Sequence, residues 1–215
     1  MLLIFNIFEL GIKEGKKNAY VAVGKNNITK SVLNDEDTLG MYLVQEKENP
    51  NMTYMFEVYE DEKSYQEHVK SEQYKEFLKK SPAILTEHKK KIQVVPEYMG
   101  DKNFVQTRNT RVNYVTVDVK EGFNDAFREI VLDEMKQSLK KEEGVCVIYA
   151  ATAKENPDKW YFFEVYENEK AYQKHRKTAH FKKYIEQTEN MIENKEFINI
   201  EGVKLLNKGN LNYVK

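Results

Sequence analysis

A duplicated segment constrains the fold of this chain more than any other feature. Phe-Glu-Val-Tyr-Glu at 56–60 recurs at 163–167, a shift of 107 residues (163 − 56). The same shift aligns Lys-Glu-Asn-Pro at 47–50 with 154–157, and about 18 of the 37 positions in 42–78 are identical to their counterparts. One domain is therefore present twice, and residues kept in both copies indicate what the fold or a site requires.

The charge balance excludes one class of partner. Lys and Arg number 34 against 35 Asp and Glu, for a net charge of −1, so there is no electrostatic case for nucleic-acid binding. The lysine-rich run at 88–91 is matched by nearby glutamates and is typical of a solvated surface.

Cysteine use and hydropathy suggest where the protein resides. The lone Cys146 lies in the apolar run Val145–Ile148 and has no disulfide partner, so we expect a small buried hydrophobe. The apolar start Met1–Phe5 follows no basic region and is closed by Glu9, which predicts a first strand rather than a signal peptide. No run approaches the ~18 apolar residues of a membrane span. We expect a soluble, cytoplasmic protein.

The second copy shows clear secondary-structure periodicity. Alternation predicts strands, and apolar residues at the 3.6-residue period predict a helix that Gly144 ends as its C′ residue. Asn168 is a candidate cap for the next helix. The predicted elements are a strand at 111–119, a helix at 123–143, strands at 145–153 and 160–166, a helix after Asn168, and a strand near 197–206.

The order β-α-β-β-α-β is the ferredoxin-like pattern. The first copy repeats it, with strands at 2–9, 40–45, 52–59 and 92–98 and helices at about 16–33 and 62–87. A four-stranded sheet with helices on one face needs cover on the other, so we expect the two sheets to face each other as an intrachain α/β-barrel. The predicted division is a first domain at 1–99, a linker at 100–109, a second domain at 110–206 and a tail at 207–215.

Each copy repeats a set of polar side chains around its third strand. A Glu and a Tyr two residues apart share a strand face, a Tyr and a His three apart share a face of the next helix, and an Asn lies in the first strand. These chemical groups suit proton transfer to and from an aromatic or enolisable substrate. The two sets are Asn6, Glu57, Tyr59, Tyr65 and His68, and Asn113, Glu164, Tyr166, Tyr172 and His175.

A purely structural interpretation stays open beside the catalytic one. A Glu that hydrogen-bonds a helix His also satisfies two half-buried polar groups, and the tyrosines suit a core. His180 has no counterpart in the first copy, where Gln73 stands, so it is either specific to the second site or an exposed helix residue. The spacing lacks a zinc signature, and no metal site is expected.

The second copy resembles the antibiotic biosynthesis monooxygenase (ABM) domain family of the dimeric α/β-barrel superfamily. The family pattern is an acidic residue in the third strand, then A-[FY]-x-x-H-x-x-[ST]-x-H-F on the helix. The second copy fits it with Ala171, Tyr172, His175, Thr178, His180 and Phe181. The first copy keeps Tyr65, His68 and Ser71 but departs at Ser64, Gln73 and Tyr74.

The resemblance implies two domains that pair within one chain, as the subunits of the family's dimers do, and a cofactor-independent oxygenation of quinol-like or phenolic molecules with O2. His175 would be the base, Glu164 its orienting group and Asn113 a hydrogen-bond donor to the substrate. Substrate contacts would come from Tyr166, Tyr172 and His180. The first copy would offer His68, Glu57, Asn6, Tyr59 and Tyr65 in the same roles.

Two other functions remain compatible with these residues. One is isomerisation of a small hydroxyketone phosphate, as in the autoinducer-2 processing branch of the superfamily. The other is a non-catalytic ligand-binding or stress-response barrel. Haem-degrading relatives carry a Trp where this chain has His68 and His175, so haem is not expected. A small-molecule partner is expected in any case, and a homodimer is left open.

Overall fold

A computed structural model describes residues 3 to 215, which form two compact units. The first unit contains the chain up to Val94 together with Ile200–Gly209, and the second contains Val95–Asn199 with Asn210–Lys215. The predicted α+β architecture of two ferredoxin-like repeats is confirmed, with one antiparallel sheet in each unit. Within 3–215, every helix is too short or too polar to cross a bilayer.

The first unit has a five-stranded sheet in the order β10-β2-β3-β1-β4. Its elements are β1 (Ile4–Ile12), α1 (Lys17–Asn34), β2 (Thr38–Glu46), β3 (Met52–Tyr59), α2 (Glu62–His68), α3 (Glu72–Ile84), β4 (Leu85–Ile92) and, late in the chain, β10 (Ile200–Asn207). The predicted first strand began at Leu2, which lies outside the described residues.

The second unit has a six-stranded sheet in the order β11-β5-β7-β8-β6-β9. Its elements are β5 (Val94–Asp101), β6 (Arg111–Val119), α4 (Asn124–Lys141), β7 (Val145–Ala153), β8 (Lys159–Tyr166), α5 (Glu169–His175), α6 (Ala179–Thr188), a 3-10 turn (Glu189–Met191), β9 (Ile192–Ile198) and β11 (Asn212–Val214). Apolar side chains of α4, including Phe127 and Met135, pack on Trp160 and Phe162 of the sheet.

Each predicted last strand is in fact two strands. β4 and β9 lie beside the first strand of their own repeat, whereas β5 and β10 join the sheet of the unit built mainly from the other repeat. β10 pairs antiparallel with β2, with Leu205 opposite Tyr42. The backbone groups at an exposed strand edge can hydrogen-bond another strand. In this way β10 covers the outer edge of β2, and β5 covers the outer edge of β7. The compact units therefore do not coincide with the two halves of the sequence.

The single helix predicted over 62–87 is wrong. α2 ends at His68, and α3 begins after Ser71, whose hydroxyl accepts a hydrogen bond from the Tyr74 backbone N–H. Thr178 caps α6 in the same way. The Ser or Thr of the repeated motif is thus an N-cap, which a helix interior would not need. Pro82 lies in the last turn of α3, and β4 follows.

Gly144 is not the C′ residue that was predicted, because α4 has its C-cap at Glu142 and the C′ position falls on Glu143. Among the described glycines, positive φ angles occur at Gly15, Gly122 and Gly209. A Cβ on Gly144 would instead lie 2.5 Å from the Cβ of Ala171. The glycine therefore allows the start of β7 to approach α5 closely.

Replacing Gly122 with alanine is expected to lower the free energy of unfolding by about 1 to 2 kcal/mol. Gly122 has φ +84° at the turn before α4, and its Cβ would meet nothing within 4 Å, so the cost comes from the backbone alone. Urea unfolding measures the change. Gly122→Asn is the control, since Asn tolerates this conformation better, and equal losses for the two variants would contradict the explanation.

Candidate functional site

A cavity of about 850 Å³ lies between the sheet and the helices of the second unit. This volume is within the range of small-molecule sites. Its buried or half-buried polar side chains are Asn113, Glu134 and Glu164, together with the tyrosines Tyr172 and Tyr184. The other lining side chains include the apolar Val115, Val117, Val131, Met135, Phe162 and Phe197 and the exposed cations Arg176, Lys177, Lys182 and Lys195.

Sheet pairing brings Glu164 and Asn113 together. β6 and β8 run antiparallel with these two residues directly opposite, and the Asn113 side-chain amide donates to Glu164 Oε2 at 3.0 Å. The Tyr166 hydroxyl donates to the same oxygen at 2.9 Å. Arg111 Nε donates to Asn113 Oδ1 at 2.9 Å, which fixes the orientation of the amide. Glu164 is therefore held in one orientation at the cavity wall.

Glu134 is the second carboxylate of the cavity and lies on α4. It is 4% exposed, and the Ser138 hydroxyl donates to its Oε1 at 2.5 Å. Burial raises the pKa of Glu134 to about 7, although His175 and the Ser138 hydrogen bond act in the opposite direction. A carboxyl group with this pKa exchanges a proton readily near neutral pH, which suits a general base.

His175 does not line the cavity but lies behind Glu134. Its Nε2 is 3.9 Å from Glu134 Oε1, and its Nδ1 is 3.0 Å from Glu142 Oε1. His180 Nε2 is 2.7 Å from the same Glu142 oxygen. Burial lowers the pKa of His175, but its hydrogen bond to Glu142 and the charges of Glu164 and Glu134 raise it above the ordinary value overall.

The donor atoms of Glu134, His175 and His180 lie within 4.8 Å of one another, a spacing that could hold a metal ion. The hydrogen bonds favour another interpretation. The two ring nitrogens of His175 face different carboxylates, and Glu142 already bonds both imidazoles. We therefore treat these residues as a hydrogen-bonded network.

The structure brings most of the predicted second-copy residues into this region. Asn113, Glu164 and Tyr172 line the cavity, and Tyr166 packs against Tyr172 with ring centroids 5.1 Å apart. His175 is buried beside Tyr166, with ring centroids 5.3 Å apart. Glu164 was expected to orient His175, but Glu142 makes that hydrogen bond.

Three polar residues at α4 and its C-cap belong to the site but were not predicted from the sequence. Glu134, Ser138 and the C-cap Glu142 are spaced four apart and therefore share one helix face. Glu134 lies next to Met135 in the buried stripe of this helix. Polar residues spaced four apart on the face of the helix that also carries its buried apolar side chains were the available signal.

The described residues of the first unit do not form this network. At the shift of 107, Glu134, Glu142 and His180 correspond to Asn27, Asp35 and Gln73, whereas Ser31 and His68 are kept. There the Ser31 hydroxyl lies 3.2 Å from His68 Nδ1 and donates to Asn27 Oδ1 at 3.4 Å, and Gln73 donates to Ser31 and Asp35. Within 3–215, His68 Nε2 has no hydrogen-bond partner, and burial lowers the pKa of His68 to about 4. His68 is therefore a neutral core histidine at neutral pH.

Glu57 of the first unit is more deeply buried than Glu164. It is 5% exposed, accepts from the Tyr59 hydroxyl at 2.9 Å, and lies opposite Asn6 in the sheet. Burial raises its pKa to about 7, against the lowering effects of Tyr59, Lys91 and Asn6. The Lys91 ammonium lies 4.7 Å from the ring centroid of Tyr65, so a cation covers this surface.

Comparisons with known proteins agree with this architecture. A candidate monooxygenase from Lactobacillus acidophilus NCFM has a similar crystal structure, with TM-score 0.94, 28% identity and coverage of 99% of this chain and 100% of that one. The candidate monooxygenase FN1347 from Fusobacterium nucleatum gives TM-score 0.93 and 28% identity over 100% and 98% of the two chains. An anthrone oxidase-like protein, at 10% identity and TM-score 0.56 over 96% and 97%, shares the fold.

The sequence comparison identifies the family. No curated protein matches the chain. The family model described as antibiotic biosynthesis monooxygenase matches twice, at residues 3–80 and 110–187. These two matches cover both repeats and more than half of the sequence. The chain therefore belongs to the antibiotic biosynthesis monooxygenase family.

Proposed function

We propose that the chain is a monooxygenase that oxidises quinol-like or phenolic small molecules with O2 in the cavity of the second unit, without a metal or flavin. One observation carries the proposal. Two carboxylates, Glu134 and Glu164, converge on an apolar cavity of about 850 Å³. Membership of the family supports the reaction class, and the cavity supports an aromatic substrate.

Glu134 takes the role of base that the sequence suggested for His175, because it is the group that faces the cavity. A substrate hydroxyl or acidic C–H loses its proton to this carboxylate. The electron-rich anion that results reacts with O2 directly. In the balanced reaction, AH2 and O2 give AO and H2O.

Asn113 and the apolar wall have separate tasks. The Asn113 amide, fixed by Arg111 and Glu164, donates a hydrogen bond to the developing oxyanion of the substrate. Val115, Val117 and Phe162 keep water from the reactive anion, where a low dielectric also strengthens that hydrogen bond. The second unit is the catalytic one, since the first lacks the equivalents of Glu134 and His180.

The test is O2 uptake with a reduced naphthoquinone such as menadiol, measured above the rate of autoxidation. The Asn113→Ala variant is expected to lower kcat/KM by about 100-fold, the effect of losing one oxyanion donor. Asn6→Ala, at the matched position of the first unit, leaves the rate unchanged. Uptake at the autoxidation rate in the unaltered protein would refute the proposal, and oxygen-independent conversion of a hydroxyketone phosphate would favour the isomerase.

A further inference from the structure

Glu134 lies between two cavities, and only one of them is the substrate site. The second cavity, of about 310 Å³, is lined by Glu134 and Tyr184 together with His180 and the exposed residues Glu129, Asp133, Lys183 and Gln187. It opens between α4 and α6. His180 is the most exposed member of the network, with 9% of its side-chain surface accessible against 7% for Glu142, 5% for Glu134 and 1% for His175.

We propose that His175, Glu142 and His180 form a proton relay that connects Glu134, and through it the substrate cavity, with water outside α6. The purpose of the relay rests on the proposed function. The distances between its atoms do not depend on that function.

The relay has three transfers. Glu134 passes a proton to His175 Nε2, which lies 3.9 Å from Glu134 Oε1; this distance is longer than a hydrogen bond, so the two side chains must approach each other before the transfer. The proton on His175 Nδ1 leaves to Glu142 Oε1 at 3.0 Å. His180, in the tautomer with its proton on Nδ1, takes the proton at Nε2 across 2.7 Å and releases the Nδ1 proton to water. An imidazole that receives a proton at one nitrogen and releases another at the second does not need to rotate.

The proton balance of the reaction closes the cycle. Oxygenation first removes a proton from AH2 and later needs one when the reduced oxygen leaves as water. The relay runs outward in the first half and inward in the second. The return transfer restores the starting tautomer of His175, so no net proton is consumed.

Several titratable groups surround the relay. Glu134 is faced by Tyr98 of β5, by Glu164 and Tyr166 of β8, by His175 of α5 and by Tyr184 of α6. Lys102 donates to the Glu142 carbonyl. Burial raises the pKa of Glu142, but its hydrogen bonds and charge interactions with His175 and His180 lower it overall, so Glu142 is present as the carboxylate that receives the proton from His175.

The first unit is the natural comparison. Gln73 stands at the position of His180 and Asn27 at that of Glu134, and neither side chain carries a proton onward. His68 therefore has no relay, although it lies in the same structural position as His175. The substitution His180→Gln copies a residue that the same fold already accepts.

The closing experiment needs no substrate and therefore separates the relay from the proposed function. The chain has four histidines, so nitrogen-15 NMR resolves their ring protons. Exchange of the His175 ring protons with water is measured in the unaltered protein and in His180→Gln, with His68 as internal reference and Lys183→Gln as a control at the second cavity. We expect exchange at His175 to slow by at least about tenfold in His180→Gln, and exchange at His68 to stay constant.

Two results would overturn the relay. Unchanged exchange at His175 in His180→Gln would mean that protons leave Glu134 directly into the second cavity. An equal slowing of His175 exchange in Lys183→Gln would show that the second cavity, and not the His180 imidazole, controls the exchange. Glu142→Gln provides a second variant, since an amide keeps the volume but cannot accept the proton, and it is expected to slow exchange to the same extent.

Discussion

Glu134→Gln is expected to lower kcat/KM for quinol oxidation by about 100- to 10,000-fold, the range for loss of a general base. The amide keeps the volume of the side chain and its contact with Ser138, but it cannot take a proton. Burial raises the pKa of Glu134 to about 7, and the active form is the carboxylate. The kcat/KM of the unaltered protein is therefore expected to fall as the pH drops through about 7.

The measurement is the pH profile of kcat/KM for both proteins. The glutamine variant should have a low rate without this inflection. Glu57→Gln is the matched control, because Glu57 also has its pKa raised to about 7 by burial but belongs to the first unit. A normal rate in Glu134→Gln, or an equal loss in Glu57→Gln, would place the base elsewhere.

His68→Gln is expected to make the protein less sensitive to acid. Burial lowers the pKa of His68 to about 4 in the folded protein, so the unfolded chain binds a proton more readily. The contribution of neutral His68 to stability is present above the unfolded pKa and is lost as the pH falls toward 4. Between pH 7 and pH 5 the loss is about 2 kcal/mol, and the variant should not suffer it.

His175 provides a control of opposite sign. Its pKa is raised in the folded state, so the stability from its charged form is present at low pH and is lost as the pH rises through that folded pKa. Urea unfolding at pH 5 and pH 7 should therefore show that His68→Gln gains on the unaltered protein at low pH, whereas His175→Gln loses. Stability changes of the same sign in the two variants would contradict the burial assigned to His68 and the hydrogen-bond partners assigned to His175.

Local elements were predictable because their signals are local. The strand over 111–119, the strand over 145–153 and the Asn168 cap need only alternation or a side chain that bonds its own backbone. The N-caps Ser71 and Thr178, at which α3 and α6 begin, carried the same kind of signal. They were missed because the repeat was interpreted as one long helix rather than as two capped ones.

The candidate site was predictable to the extent that it depends on sheet pairing. Asn113 opposite Glu164, and Asn6 opposite Glu57, follow from antiparallel pairing of the first and third strands. The partner of His175 did not follow, because Glu142 lies 33 residues earlier on another element. Proximity across helices depends on packing, which the spacing along one segment does not report.

The sequence by itself determined the duplication, the order of the main elements, the family and several side chains that line the cavity, since these depend on repeats and on periods of two and 3.6 residues. Only the tertiary structure decided that β5 and β10 change sheets, that Glu134 rather than His175 faces the cavity, and that, among the described residues, the second unit alone has the full network. Strand edges and buried charges find partners among all the chain segments that folding brings near, and that choice is a property of the packed molecule.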